Sequence, residues 1–323
     1  MKALVTGGAG FIGSHLVEQL LSGGWEVTVL DDFSSGRKEN LAAVMADKNL
    51  RIVNGNILDA DTVANSLAEV DACFHLAAVV SNIKSLENPR MVNEVNVSGT
   101  INMLEAARKA EVDRFVYASS CAVYGEAQTL PVKEETPLAP RTPYAASKAA
   151  AEQYCTAFYR TYGLGVTCLR FANVYGSRRS VGPYSGVIVQ FAERLMNDHP
   201  PLIYGDGLQT RDFVYSTDVA EASVLAAQNP NSTGMVLNVG TGVATSINDL
   251  AALMAKILRK AHLGVVREEP RAGEIKFSQV ENSATKRILG FEPRVRLDEG
   301  VGNFLKWYAE KDRKTETYHS SAP

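Results

Sequence analysis

At 323 residues, 46% apolar and 21% charged, the chain is long enough to bury a large α/β core and has an ordinary globular composition. A net charge of -3, an isoelectric point near 6.0 and no run that concentrates Lys and Arg exclude a general nucleic-acid surface. The four cysteines, Cys73, Cys121, Cys155 and Cys168, are far apart and lack CxxC or Cys/His ligand spacing, so neither a disulfide framework nor a metal site is expected, and a reducing cytoplasm is the expected setting.

From Met1 to Thr6 the chain reads as a strand feeding a turn rather than an export signal, and no window reaches the ~18 apolar residues expected of a membrane span. Ala3 to Val5, Val27 to Leu30, Ile52 and Val53, Ala72 to Leu76, Phe115 to Ala118 and Val166 to Leu169 read as buried strands. Helical patterns lie between them: Phe11 to Leu21 carries an apolar stripe, and a longer segment runs from about Asn88 to Lys109. Such alternation implies a doubly wound parallel α/β sheet. Beyond Gly176 the rhythm changes. A helix with Val187, Ile188, Phe191 and Leu195 on one face begins a less regular region, read as a smaller C-terminal α/β lobe over the carboxyl edge of the sheet, where open α/β sheets bind ligands. The expected division is 1–175 as the nucleotide-binding domain, to which some later segments return, 176–310 as mainly a substrate-binding lobe, and 311–323 as a flexible polar tail.

The first turn holds the run Thr6-Gly7-Gly8-Ala9-Gly10-Phe11-Ile12-Gly13 between a strand and an amphipathic helix. There, Gly7, Gly10 and Gly13 let the backbone and the helix N-terminus approach a pyrophosphate. Asp31 ends the second strand, at the distance expected of a carboxylate that accepts from an adenosine ribose and repels a 2′-phosphate; NAD is favoured over NADP. Further on, Tyr144 and Lys148 stand four residues apart, on one face if helical, so that an ammonium could lower the cost of a phenolate. A free tyrosine titrates near ~10, and bringing it to neutrality needs about 4 kcal/mol of preferential anion stabilisation. Lys148 and an oxidised nicotinamide are two cations that could supply it.

With these motifs stand Gly55-Asn56-Ile57, His75-Leu76-Ala77-Ala78, Asn96-Val97-Ser98-Gly99-Thr100, Ser119 to Gly125, Arg170 to Gly176 and Arg211-Asp212-Phe213. In this order, across nearly the whole chain, they resemble the extended short-chain dehydrogenase/reductase family, within it the NAD-dependent sugar-nucleotide epimerases and dehydratases. The resemblance implies a Rossmann sheet in which Asn56 and Ile57 flank the adenine. Ala77, Ala78 and Asn96 would line the dinucleotide site, together with Phe11 and Ile12 of the glycine turn, and Lys148 would hold the nicotinamide ribose. Asn56 stands where Asp is more frequent; its amide oxygen can still accept from the adenine amine.

In related 4,6-dehydratases the two residues after the catalytic hydroxyl are typically Asp and Glu; here they are Cys121 and Ala122, following Ser120. Alanine moves no proton and an unactivated thiol replaces a carboxylic acid poorly. Related decarboxylases lose ground for the same reason. The reaction then implied is 4-epimerisation of a UDP-hexose: Tyr144 takes the 4-hydroxyl proton, Ser120 steadies the developing carbonyl, and NAD takes and returns the hydride.

By resemblance Arg211 and Arg271 grip the diphosphate with Asn173 nearby, Tyr204 stacks on uracil, and Glu274 accepts from the nucleotide ribose. Ser278, seven residues after Arg271, stands where relatives confined to glucose and galactose forms often carry Tyr; a small residue there leaves room for an N-acetyl group. The Ser81 to Ser85 segment, with Lys84, resembles the loop of the N-acetyl-accepting group. Relatives pair the Tyr144 helix and the Asn88 to Lys109 helix across a four-helix bundle, which implies a homodimer. Three rivals stand beside this reading: a dehydratase or decarboxylase, a keto-sugar reductase, and a non-catalytic NAD-binding protein.

Overall fold

A computed structural model of the chain describes residues 1–179, 185–270 and 275–320, the side chains of 312–320 excepted. The described residues form twelve strands: β1 (Lys2–Thr6), β2 (Glu26–Asp31), β3 (Leu50–Asn54), β4 (Ala72–His75), β5 (Arg114–Ser120), β6 (Val166–Phe171), β7 (Asn173–Tyr175), β8 (Leu202–Tyr204), β9 (Thr210–Tyr215), β10 (Val236–Val239), β11 (Ala244–Ser246) and β12 (Val266–Glu268). Seven of them make one parallel sheet in the order β10-β6-β5-β4-β1-β2-β3. The order reverses between β1 and β4, the crevice in which doubly wound sheets bind dinucleotides. β4 and β6 are buried at every position, as strands covered on both faces must be.

The helices explain that burial. On one face lie α1 (Phe11–Ser22) and, later in the chain, Ser216–Gln228; Leu16, Val17 and Leu20 meet Val219, Ala220 and Ala222 in one apolar cluster. Each fully buried leucine contributes about 1.5–3 kcal/mol relative to exposure. On the other face are α2 (Ala60–Ser66), α3 (Asn82–Glu87), α4 (Pro89–Asn93), α5 (Gly99–Lys109) and α6 (Pro143–Tyr162), with Val63, Met103, Leu104, Ala151 and Cys155 in a second cluster. The helix expected from Asn88 to Lys109 is not uniform. A π-helical turn, Glu94–Ser98, separates α4 from α5, and such turns recur where a helix must place one residue out of register.

The smaller lobe gathers α7 (Val187–Met196), α9 (Ile247–Ile257) and α11 (Leu297–Ser320) around two small sheets, β11-β9-β7 and β12-β8, with Ile188, Phe191, Phe213, Met254 and Phe304 in its core. The helices α8 (Ser216–Gln228) and α10 (Ser283–Leu289) and strand β10 return to the large sheet. The backbone of α11 continues as helix to Ser320, through part of the stretch assigned to the tail. Among the described residues, no helix is long and apolar enough to cross a membrane.

Candidate active site

β1 ends at Thr6, and the chain turns through Gly7, whose φ of +68° is left-handed and suits glycine. Gly7 N–H donates to Leu30 O at 2.8 Å, and Gly10 N–H to Gly7 O at 3.0 Å. Gly10 caps α1 in an extended conformation with no side-chain hydrogen bond, and no acid stands in the first turn. The positive end of the helix dipole is therefore left for an external anion. A Cβ at Gly13 would lie 2.2 Å from Gly7 O, and one at Gly7 2.9 Å from Ala77 N, so helix, turn and the chain after β4 pack backbone to backbone.

Asp31 is buried at the end of β2 and accepts from Ala9 N–H and Phe33 N–H, each at 2.9 Å. Burial raises its pKa; the two N–H donors oppose that rise. Asn56 is already engaged on both sides: Oδ1 accepts from Leu58 N–H at 2.9 Å and Nδ2 donates to Asp32 at 3.1 Å. Its oxygen keeps one lone pair for a further donor. Ile57 is buried against the backbone of Gly99.

Ala77 N–H donates to Thr6 Oγ1 at 3.1 Å, and Ala78 follows in the partly exposed loop after β4. Asn96, in the π-helical turn, is turned toward protein rather than an open cleft. Its Oδ1 accepts from Val79 N–H at 2.8 Å, and its Nδ2 donates to Val79 O at 3.1 Å and Ser147 Oγ at 2.9 Å. It thus ties the loop after β4 to α6.

His75, which the sequence marks only as part of a motif, lies between Thr6 Oγ1 at 2.7 Å and Thr100 Oγ1 at 3.0 Å. Thr100 donates to Asn96 O and Thr6 accepts from Ala77, so Nε2 carries the imidazole proton and Nδ1 accepts. Burial holds the ring neutral, with its pKa pushed down to about 3. An unfolded histidine takes a proton near ~6.5 that the folded one refuses, so this stability is present above that pH and is lost as pH falls toward about 3. The expected slope is ~1.4 kcal/mol per pH unit. His75→Asn should therefore lose about 2 kcal/mol less than the parent between pH 6.5 and 4.5, compared by urea unfolding. Equal losses would contradict the assignment.

Thr142 caps α6, accepting from Ala145 N–H at 3.2 Å, with Pro143 at the first helical position. This places Tyr144 and Lys148 on one face, over the end of β5. Lys148 is 3% exposed and its Nζ donates to Ala118 O at 2.8 Å. Burial lowers its pKa to about 8. The Tyr144 hydroxyl is hydrogen-bonded to Ser120. Burial raises the phenol's pKa; Ser120 and the charge of Arg179 oppose it. Arg179, which no spacing in the sequence announces, is a cation acting on Tyr144. Arg179 donates to Val174 O and lies 5.4 Å from the Phe11 ring.

Ser120 also accepts from Ala122 N–H at 3.2 Å, capping a short 3₁₀ turn, Cys121–Tyr124. Cys121 donates its thiol proton to Arg170 O at 3.3 Å, and burial pushes its pKa well up. The smaller lobe brings β7, with Asn173, beside β9, with Arg211, and Ser278 N–H reaches Thr210 Oγ1 at 3.4 Å. Tyr204, partly exposed, ends β8 and its carbonyl accepts from Gln209 at 2.9 Å. The Ser81 to Ser85 segment is not a loop: Ser81 caps α3, accepting from Lys84 N–H at 3.2 Å because its hydroxyl offers the free turn an acceptor, and Lys84 itself is exposed. Arg271 and Glu274 lie outside the described residues. Among the described residues no cluster of His, Cys, Asp and Glu suits a metal.

The model of the NAD-dependent epimerase/dehydratase family matches residues 3–240. The chain belongs to that family. UDP-glucose 4-epimerase of Mycolicibacterium smegmatis is 39% identical over 97% of this chain and 100% of its own length. dTDP-glucose 4,6-dehydratase of Streptomyces niveus is 35% identical over 96% of this chain and 93% of its own. Among solved structures, UDP-N-acetylglucosamine 4-epimerase from Methanobrevibacter ruminantium, in complex with UDP-N-acetylmuramic acid, is 35% identical, with a TM-score of 0.91 over 96% of this chain and 98% of that one. This epimerase/dehydratase is thus an NAD enzyme of the doubly wound type. Its residues fit that cofactor: an uncapped helix N-terminus, a backbone-tight glycine turn and a buried carboxylate meet at the β1–β4 crevice.

Proposed function

We propose that this epimerase/dehydratase interconverts UDP-hexoses at C4 through a transient 4-keto sugar. The observation that carries the reading is the turn after Ser120, where Cys121 and Ala122 stand in place of an acid and a base. The Cys121 proton is committed to a backbone carbonyl and its pKa is raised, so it is a weak acid and a weaker base at neutral pH. Loss of water or carbon dioxide needs a second proton-transfer group; C4 redox chemistry needs only Tyr144. NAD, when bound, supplies the hydride acceptor and donor.

Tyr144 as phenolate removes the 4-hydroxyl proton and returns it, with Ser120 bonded to the same oxygen. Phenolate formation needs positive charge nearby: Arg179 acts in that direction, and an oxidised nicotinamide would add to it. Lys148, anchored on Ala118 O, would hold the nicotinamide ribose with its remaining protons. Asn173, Tyr204, Arg211, Arg271 and Glu274 hold the nucleotide while the sugar turns. Ser278, beside Thr210, leaves space for an acetamido group, and α3, which carries Lys84, meets the start of α6 where Thr142 Oγ1 donates to Asn82 Oδ1, so acceptance of UDP-N-acetylhexosamines belongs to the proposal.

A keto-sugar reductase preferring NADP is disfavoured by the buried Asp31. We place the enzyme in the cytoplasm as a homodimer joined through α6 and the Asn88 to Lys109 segment. Tyr154 and Tyr162 stand out from α6, and Tyr162 stacks under Arg108 of α5 at 5.0 Å.

The test is incubation with UDP-galactose and, separately, UDP-N-acetylgalactosamine without reductant, with products resolved by anion exchange and proton NMR. Conversion of both to their C4 epimers, with no net NADH, is expected. Exclusion of the acetylated sugar would overturn the Ser278 argument alone. A 4-keto product accumulating with reduced cofactor would overturn epimerisation.

A further inference from the structure

One turn beyond Lys148 on the same face of α6 stands Glu152, which is 0% exposed. It accepts from Arg170 Nη2 at 2.5 Å and Nε at 3.0 Å, a two-pronged pair inside the core, and from Ser119 Oγ at 2.7 Å. Ser119 precedes Ser120, so the carboxylate holds the end of β5 against α6. Arg170 then donates through Nη1 to the Tyr124 hydroxyl at 2.7 Å, and Tyr124 donates to Asn238 Oδ1 at 2.7 Å. Asn238 Nδ2 reaches Val132 O at 3.0 Å and Glu281 O at 3.1 Å, the stretch where Val132 bridges Val280. Val280 N–H in turn donates to Asp212, the neighbour of Arg211, at 3.3 Å.

Arginine can only donate and carboxylate only accept, so every proton along this line has one direction. A buried ion pair adds little net stability, because desolvation cancels most of its attraction. Its value must lie elsewhere. It runs from the face that carries Tyr144 to the strand that carries Arg211, through groups almost wholly out of water.

We propose that the line Glu152–Arg170–Tyr124–Asn238 sets the distance between the hydride-transfer residues and the diphosphate grip, making these four positioning residues. The inference rests on the 4-epimerase reading. In a UDP-sugar the hexose is joined to the nucleotide by a diphosphate of limited reach, and it must turn over while the nucleotide stays held. If the two ends of the site are misplaced, the nucleotide still binds, yet the C4 centre meets Tyr144 and the nicotinamide poorly on the return stroke. In the forward half-reaction the C4–H and O–H bonds break, hydride going to NAD and the proton to Tyr144. A failed return releases one 4-keto sugar and leaves one NADH.

Tyr124→Phe keeps the ring and removes the shared hydroxyl. Its expected kcat is about tenfold or more below the parent's, with KM and UDP affinity within about threefold and bound NAD unchanged. The share of turnovers ending in NADH and released keto sugar, read at 340 nm and by trapping, should rise. Ser119→Ala, which removes only the β5 bond to Glu152, should shift both quantities in the same direction by less, and serves if Tyr124→Phe fails to fold. A lowered melting temperature with unchanged kcat and no NADH leak in the folded variant would make the line purely structural and overturn the proposal. Wild-type protein inert toward every UDP-hexose would instead overturn the functional reading and this one with it.

Discussion

Tyr144→Phe is expected to lower kcat by about 10²–10⁴-fold, the range ascribed to a positioned proton-transfer group, while KM for the UDP-sugar changes little. The phenyl ring fills the same partly buried place on α6, and the Thr142 cap and the Lys148 bond to Ala118 O are untouched. What disappears is the hydroxyl bonded to Ser120. Burial, with a smaller contribution from Cys121, holds this phenol's pKa above the ordinary value. Forming the phenolate therefore needs nearby positive charge, Arg179 among it, and activity should rise with pH until the phenol ionises. Progress curves over pH 6 to 9, with bound NAD measured after denaturation, provide the check. A loss under about tenfold with cofactor retained would assign the proton to another group.

Gly13→Ala should remove bound NAD, and turnover with it. The added Cβ would lie 2.2 Å from Gly7 O and 2.8 Å from Gly8 Cα, both backbone atoms of the turn that must cradle the pyrophosphate. No rotamer relieves that contact; α1 must move away from β1, taking its N-terminal N–H groups with it. A loss of at least about 10²-fold in cofactor affinity, or about 2.7 kcal/mol, is expected. Gly24→Ala is the control. Its φ of +77° is left-handed, which Gly13's is not, but a Cβ there meets nothing within 4 Å, so it should cost only about 1 kcal/mol of stability and leave NAD in place. Cofactor content by absorbance and the two melting temperatures distinguish the cases. NAD retained at full occupancy in Gly13→Ala would contradict the packing.

The parts of the site readable from sequence were those whose geometry is local. The strand, glycine turn and helix from Thr6 to Gly13 are written in consecutive residues, and Asp31 follows from the end of the next strand. The spacing of Tyr144 and Lys148 places both on one face of α6, but spacing alone cannot tell where a long side chain ends. Lys148 finds the Ala118 carbonyl because β5 passes under α6, a fact of tertiary packing. Arg179 reaches Phe11 and the neighbourhood of Tyr144 from a different part of the chain, with no motif to announce it. The π-helical turn at Asn96 was hidden for a related reason: its apolar pattern is that of a helix, and its departure from one is set by Asn96 bonding to Val79 and Ser147. A signal for Glu152 and Arg170 was available, since a charge on an apolar helix face one turn past Lys148 and another inside a buried strand require each other. Ser81 to Ser85 was misread because its cap, Ser81 with Lys84 N–H, is a turn that loop and helix share.

The closed redox cycle at C4 is tested most directly with UDP-galactose deuterated at C4, followed by proton NMR and mass spectrometry of the product in ordinary water. Hydride that leaves and returns on one tightly held cofactor, with Tyr144 moving only the hydroxyl proton, predicts UDP-glucose that keeps its deuterium at C4 and gains no solvent hydrogen on carbon. Loss of the label from C4, or solvent hydrogen appearing at a neighbouring carbon, would contradict the account and point to chemistry with a released or dehydrated intermediate.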